Sequence, residues 1–161
     1  MKKLFILFAV CAITISHSLF AQNNSTTKSP SILSAYYGIK NALLAGNSED
    51  AAKHALQMAK EVNTIDSQKV KADVRDEILV DATHISKSKD INHQREHFTR
   101  LSTNMYAVAK SVKLSEDPIY YDYCPMKKSF WLSSYPAIKN PYYGNQMLSC
   151  GKVTETLKKS F

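Results

Sequence analysis

Apolar residues recur every three or four positions along four successive segments between Ile32 and Val112, and this spacing constrains the fold most strongly. It is the spacing of residues that share one face of a helix. Gly46 fits the end of the first helix, while Asn47 and Asp90 fit the N-terminal caps of two others. The pattern therefore predicts four amphipathic helices joined by short connections, packed as an antiparallel four-helix bundle.

The helical pattern stops at Leu114. Between Asp117 and Gly151 the chain has four prolines and seven Tyr or Trp residues, with no sustained period. These features predict an ordered, aromatic-rich, mostly irregular C-terminal segment whose rings pack against the bundle. Val153 to Lys159 are expected to add one or two helical turns. The expected fold class is all-α.

The N-terminus has the three parts of a secretory signal peptide. Lys2 and Lys3 are basic, Leu4 to Ile15 are almost all apolar, and a more polar stretch ends at the small residue Ala21. The apolar stretch is too short to span a bilayer. We expect a signal peptide over residues 1–21, cleavage near Ala21, and a periplasmic or secreted protein without a membrane span.

The remaining chain is long enough for one domain. Residues 22–29 are polar and aperiodic, which predicts a disordered tether, and residues 30–161 are expected to form a single helical-bundle domain. The formal net charge of +7 is spread along the chain without an Arg-rich run, so we expect no nucleic-acid partner.

The sequence lacks the common motifs of catalysis. It has no Ser elbow, no His-Glu-x-x-His motif, no Gly-rich phosphate loop and no Cys-x-x-Cys pair. Asp73, Asp76, Glu77 and Asp81 lack the Glu-x-x-His partners of a carboxylate di-iron bundle and are expected to form a solvated face. The protein is therefore not expected to be an enzyme.

Four sulfur-bearing residues follow the helical region. Cys124 and Met126 lie at one end of the aromatic segment, and Met147 and Cys150 lie at the other. Thiolates and thioethers are soft donors that suit Cu(I) and Ag(I), whereas Zn²⁺ sites seldom use Met. The four residues are therefore candidate metal ligands, if the two halves converge.

The same cysteines are candidates for a disulfide. Two cysteines in an exported domain commonly pair, and a bridge between Cys124 and Cys150 would stabilise by about 3 kcal/mol in the chain-entropy model. Oxidation consumes the thiolates that a metal needs, so the two states exclude each other. Spacing alone leaves both possibilities open.

Histidines are the other candidate ligands. His93 and His97 are four residues apart on the fourth predicted helix, a spacing that allows joint metal binding. They flank the apolar seam, so we interpret them as a solvated pair. His54 and His84 lie on other helices and are expected to be surface residues.

Several sequence blocks carry a resemblance to a known family. They are Cys124-Pro125-Met126, Trp131-Leu132, Asn140-Pro141-Tyr142-Tyr143-Gly144, Met147-Leu148, Cys150-Gly151 and, upstream, Arg95-x-x-Phe98-x-x-Leu101-Ser102. In order and spacing they resemble the hallmark of a bacterial domain family of unknown function. Members of that family occur alone in the periplasm or joined to adaptor subunits of heavy-metal (copper/silver) efflux pumps.

Two positions depart from the family pattern. The link between Met126 and Trp131 is short, whereas the family usually has a longer Gly-containing link, and Lys139 stands where the family usually has Arg. A Lys cannot reproduce a bidentate Arg contact.

The resemblance implies an exported helical bundle with a heavy-metal connection and no established reaction. Together with the soft sulfur donors, it leads us to expect a domain that binds or hands over Cu(I) or Ag(I). Its implied partner is a heavy-metal efflux adaptor or another periplasmic metalloprotein. The alternative is a disulfide-stapled interaction module without a metal role, which docks a partner through an aromatic motif surface. That surface would consist of Trp131, Asn140, Pro141, Tyr142, Tyr143 and Gly144.

Overall fold

The four periodic segments form helices. The computed structural model describes residues 31–158, in which the helices are α1 (Ile32–Ala45), α2 (Ser48–Glu61), α3 (Ala72–Lys87) and α4 (Ile91–Ser111). A single 3-10 turn, Val62–Thr64, extends the end of α2. The predicted signal peptide and tether lie outside the described residues.

Local capping chemistry fixes the helix boundaries. The Asn47 side chain accepts a hydrogen bond from the Asp50 backbone N–H at 3.0 Å, and the Asp90 side chain accepts one from the Asn92 N–H at 2.8 Å. Gly46 ends α1 in the left-handed conformation, with φ of 72°. The boundaries predicted at Gly46, Asn47 and Asp90 are confirmed.

The prediction of an all-α four-helix bundle is wrong, because the C-terminal segment contains a sheet. Its strands are β1 (Ile119–Cys124), β2 (Ser129–Ser133) and β3 (Lys152–Leu157), arranged in the order β2-β1-β3 with both pairings antiparallel. The tail that we expected to be helical is strand β3. The fold is therefore a mixed arrangement of four helices and a three-stranded antiparallel sheet.

The strands form because their residues are mostly β-branched or aromatic, a preference that a search for helical spacing does not detect. β1 contains Ile and three Tyr residues, and β3 contains Val and two Thr residues, all types that favour strands. Cys124 pairs with Ser129, so the short link closes a tight hairpin between β1 and β2. Lys128 in that turn has φ of 55°, a conformation that suits Gly better than Lys.

The sheet packs onto the helices through β2. Helix α1 packs on α2, α2 on α3 and α3 on α4, while α4 also contacts β2. The buried Tyr36 hydroxyl on α1 lies 2.7 Å from the Ser102 hydroxyl on α4 and accepts a hydrogen bond from the Leu132 N–H of β2 at 3.0 Å. One side chain thus joins two helices to the sheet, and the core is continuous across them.

No helix within residues 31–158 has the length and apolar character needed to cross a membrane.

Candidate metal centre

Antiparallel pairing brings the two cysteines together. Cys124 is the last residue of β1, and Cys150 lies two residues before the start of β3. The pairing of Tyr123 with Lys152 brings these two positions together. Both thiols are free, and their Sγ atoms are 3.7 Å apart. Cys124 is buried and Cys150 is half-buried, so the pair is reached from the Cys150 side.

The sulfur separation is compatible with a shared ion. Two thiolates bound to one tetrahedral ion at about 2.3 Å would lie about 3.8 Å apart. A disulfide needs an S–S distance of about 2.05 Å, so its formation would require the Sγ atoms to approach further. Burial, and then the hydrogen bond and charge of Cys124, raise the pKa of the Cys150 thiol, so metal binding would displace protons.

The two methionines lie beside the cysteines in sequence but differ in exposure. Met126 is in the β1–β2 turn and is 64% exposed. Met147 is half-buried, and its carbonyl accepts a hydrogen bond from the Cys150 N–H at 3.1 Å. The structure therefore places one methionine on the hairpin tip and the other in the turn that presents Cys150.

Asn140 holds that turn in place. Its buried side chain donates to the Cys150 carbonyl at 2.8 Å and accepts from the Tyr142 N–H at 2.9 Å. Its backbone N–H donates to the Leu148 carbonyl at 2.8 Å, and its carbonyl accepts from the Gly144 N–H at 3.1 Å. A single buried amide thus determines where the Cys150 turn lies relative to the preceding loop.

Arg95 fastens the same loop to the bundle. Its Nε donates to the Pro141 carbonyl and its Nη2 donates to the Leu43 carbonyl, both at 3.0 Å. Gly144 has φ of 55°, and a Cβ there would lie 2.9 Å from the Leu44 carbonyl oxygen. Only glycine fits between this loop and the end of α1 without strain.

Most residues of the predicted motif surface are buried. Trp131, Asn140, Pro141, Tyr142 and Gly144 are covered, and only Tyr143 is half-exposed. The Tyr142 hydroxyl donates to the Phe130 carbonyl, and its ring packs on those of Phe98 and Trp131. The covered side chains support the thiol-bearing loop and are not available to a partner in this conformation.

Lys139 is exposed. Its ammonium lies 5.5 Å from the centroid of the Tyr135 ring, which places it in range of a cation–π contact.

A buried acid on the sheet and a buried base on a helix influence each other: Asp122 lies on β1 and Lys40 on α1. Asp122, opposite Trp131 in the β1–β2 pair, has no hydrogen-bond partner among the described residues for either carboxylate oxygen, and the Trp131 indole N–H is also unpaired there. Burial raises the pKa of Asp122 to about 7, although the charge of Lys40 and the nearby indole N–H offset part of the rise. Burial also lowers the pKa of Lys40 to about 8.

Sequence reasoning did not find this pair. The only sequence signal for it is an isolated Asp within the aromatic run of β1, and the Lys lies far away on α1.

The histidines are arranged differently from the expected solvated pair. His84 on α3 lies beside His93 and His97 on α4, and ligand nitrogens of all three lie within 4.8 Å of one another. The short connection between α3 and α4 was predicted, but its consequence was missed: it brings His84, at the end of one helix, to the start of the next. His54 is exposed on α2 and is not part of this group.

These observations define a helical domain with an appended antiparallel sheet, at one end of which two free thiols meet. Residues 32–117 match a family described as a protein of unknown function (DUF3347), and the chain belongs to that family. The match covers the four helices and ends just before β1, so the thiol-bearing segment lies beyond it. No curated protein and no solved structure matches the chain.

Proposed function

We propose that this protein is an exported domain that binds Cu(I) or Ag(I) through Cys124 and Cys150 and hands the ion to a partner in heavy-metal homeostasis. The observation that carries the proposal is the 3.7 Å separation of the two Sγ atoms. This distance suits a shared ion, and paired thiolates are the preferred donors of soft monovalent metals.

The donor set supports a soft ion over Zn²⁺. Among the described residues, neither cysteine belongs to a group of three or more His, Cys, Asp or Glu side chains that could hold a metal. Further protein donors at the thiol pair would therefore be thioethers, and Met147 and Met126 are the nearest in sequence. Thioether ligation favours Cu(I) or Ag(I).

Unequal burial supports transfer of the ion. Cys124 is buried and anchored within the sheet, whereas Cys150 is half-exposed and Met126 lies on the exposed hairpin tip. We propose that a partner takes the ion from the Cys150 side by exchange of thiolate or thioether ligands. The proposed partner is a heavy-metal efflux adaptor or another periplasmic metalloprotein, as the family resemblance implies.

The test is a competition titration of reduced protein against a chromogenic Cu(I) chelator. We expect one tightly bound Cu(I) per chain, loss of tight binding in Cys124→Ser and in Cys150→Ser, and weaker binding in Met147→Leu. Ser149→Ala changes an exposed neighbour of Cys150 and is the matched control, with unchanged affinity. Equal affinity in the wild type and both Cys variants would contradict the proposal.

The alternative function is a disulfide-stapled interaction module. The closeness of the two free thiols also supports this candidate, because modest movement of the Sγ atoms would allow a bond. A thiol count on protein purified from the exported fraction without reductant separates the two candidates. Two free thiols with bound copper favour the metal function, whereas no free thiols and indifference to copper after mild reduction favour the staple.

A further inference from the structure

Three histidines converge where α3 ends and α4 begins. His84 lies in the last turn of α3, and His93 and His97 lie one turn apart near the start of α4. Their ring centroids are separated by 4.2 Å for His84 and His97, 4.6 Å for His93 and His97, and 6.0 Å for His84 and His93. Three imidazoles this close offer three nitrogen donors to one ion.

A buried carboxylate orients one of these rings. Asp81, which is 1% exposed, lies 2.8 Å from the Nδ1 atom of His97. When Nδ1–H donates to this carboxylate, the Nε2 lone pair is free to bind a metal, as in carboxylate–histidine–zinc sites. The cluster thus contains both candidate ligands and an outer carboxylate that selects the required tautomer.

Arg100 completes the surroundings of Asp81. Its Nη2 and Nε atoms donate to the same carboxylate oxygen at 2.6 and 3.2 Å. The Nη2 atom also lies 3.2 Å from His97 Nδ1, but the carboxylate oxygen is the nearer acceptor. The guanidinium therefore fixes Asp81 in place and leaves His97 Nδ1–H directed at the carboxylate.

The rings require only a local adjustment to bind one ion. Nitrogens on a tetrahedral Zn²⁺ with bonds of about 2.0–2.1 Å lie about 3.3 Å apart, and the three rings have ligand atoms within 4.8 Å. The His84 and His97 rings are stacked with an interplanar angle of 9°, so their nitrogens do not yet point at a common centre. His84 is exposed, and rotation of its side chain can bring its nitrogen to the other two.

We propose that His84, His93 and His97 form a second metal site, which binds a borderline divalent ion such as Zn²⁺ with water in the fourth position. Imidazole suits Zn²⁺, and the absence of sulfur from this ligand set separates it from the Cu(I)/Ag(I) site. The proposal uses no residue of the thiol pair and is independent of the function proposed above. A bound ion would also link the end of α3 to the start of α4.

The test is calorimetric titration of the metal-free exported protein with Zn²⁺, together with thermal unfolding. We expect one Zn²⁺ per chain and a higher melting temperature in its presence. His84→Gln and His93→Gln should each weaken binding by more than tenfold, and Asp81→Asn by about 10–100-fold, the usual range for loss of an outer-shell partner. His54→Gln is the matched control, because His54 is an exposed histidine outside the cluster, and it should bind as the wild type does.

Cobalt substitution identifies the ligands without relying on affinity. Co²⁺ in the proposed site should give the visible bands of a four-coordinate ion without thiolate-to-cobalt charge transfer. The spectrum should be the same in the Cys124→Ser/Cys150→Ser double variant. Absence of Zn²⁺ binding, binding that survives both His variants, or a cobalt spectrum that depends on the cysteines would overturn the proposal.

Discussion

Replacement of the buried Asp122 by Asn should change how stability depends on pH. In the folded protein the pKa of Asp122 is raised to about 7 by burial, whereas an Asp in an unfolded chain ionises near pH 3.9. The folded state therefore holds a proton that the unfolded state has lost between these two values. The contribution of the protonated Asp122 carboxyl group to the stability of the folded state is therefore fully present below about pH 4. It is lost as the pH rises to about 7.

The size of the effect follows from the pKa difference. About three pKa units at 1.36 kcal/mol each give a loss of about 4 kcal/mol across this range, as an upper limit because water and Lys40 can relax around the carboxylate. The pKa of Lys40, although lowered, is about 8, so Lys40 stays mostly charged over most of the same range. Asp122→Asn keeps the shape of the protonated carboxyl and cannot ionise.

The assay is urea unfolding of reduced protein at intervals from pH 4 to pH 7. The free energy of unfolding of the wild type should fall relative to that of Asp122→Asn as the pH rises, by up to about 4 kcal/mol. Asp76→Asn, which changes an exposed carboxylate on α3, should follow the wild-type curve within about 0.5 kcal/mol. Parallel curves for wild type and Asp122→Asn would refute the reasoning.

Three further substitutions test the fold through thermal and urea unfolding. Leu101→Asp places an unpaired charge in a fully buried position and should lower the free energy of unfolding by several kcal/mol. Thr103→Asp, at an exposed position on the same helix, should have almost no effect, and equal small effects would contradict the packing of α4. Gly144→Ala should destabilise more than Gly46→Ala, because both have positive φ but only a Cβ at Gly144 meets a carbonyl; equal costs would contradict the close approach to α1. Lys128→Gly should stabilise by about 0.5–1 kcal/mol through relief of its left-handed backbone, and a loss of stability would contradict the turn geometry.

The helices could be predicted because their determinants are local. The apolar period and the caps at Asn47 and Asp90 act within a few residues, and the structure confirms them. The sheet was missed because β1 and β2 are only six and five residues long. The segment that contains them is interrupted by prolines and has no sustained period, and β1 pairs with β3 from a distant part of the chain.

In the candidate sites, too, the residue types could be read from the sequence, but their positions relative to one another depend on tertiary structure. The chemistry of Cys124 and Cys150 was visible in the sequence, but the distance between their sulfurs depends on the β1–β3 pairing. His84 joins His93 and His97 because a short connection folds α3 back onto α4, a tertiary consequence of local signals. The burial of Asp122 depends on formation of the sheet, so it could not be predicted from the helical spacing of apolar residues.

The most direct test of the proposed function is X-ray absorption spectroscopy at the copper edge of the reduced, Cu(I)-loaded protein. We expect a first shell of sulfur alone, with two thiolates and at least one thioether. That shell should be lost when Cys124 and Cys150 are both replaced by Ser. A wild-type shell of nitrogen or oxygen, or a protein that retains no copper, would contradict the account.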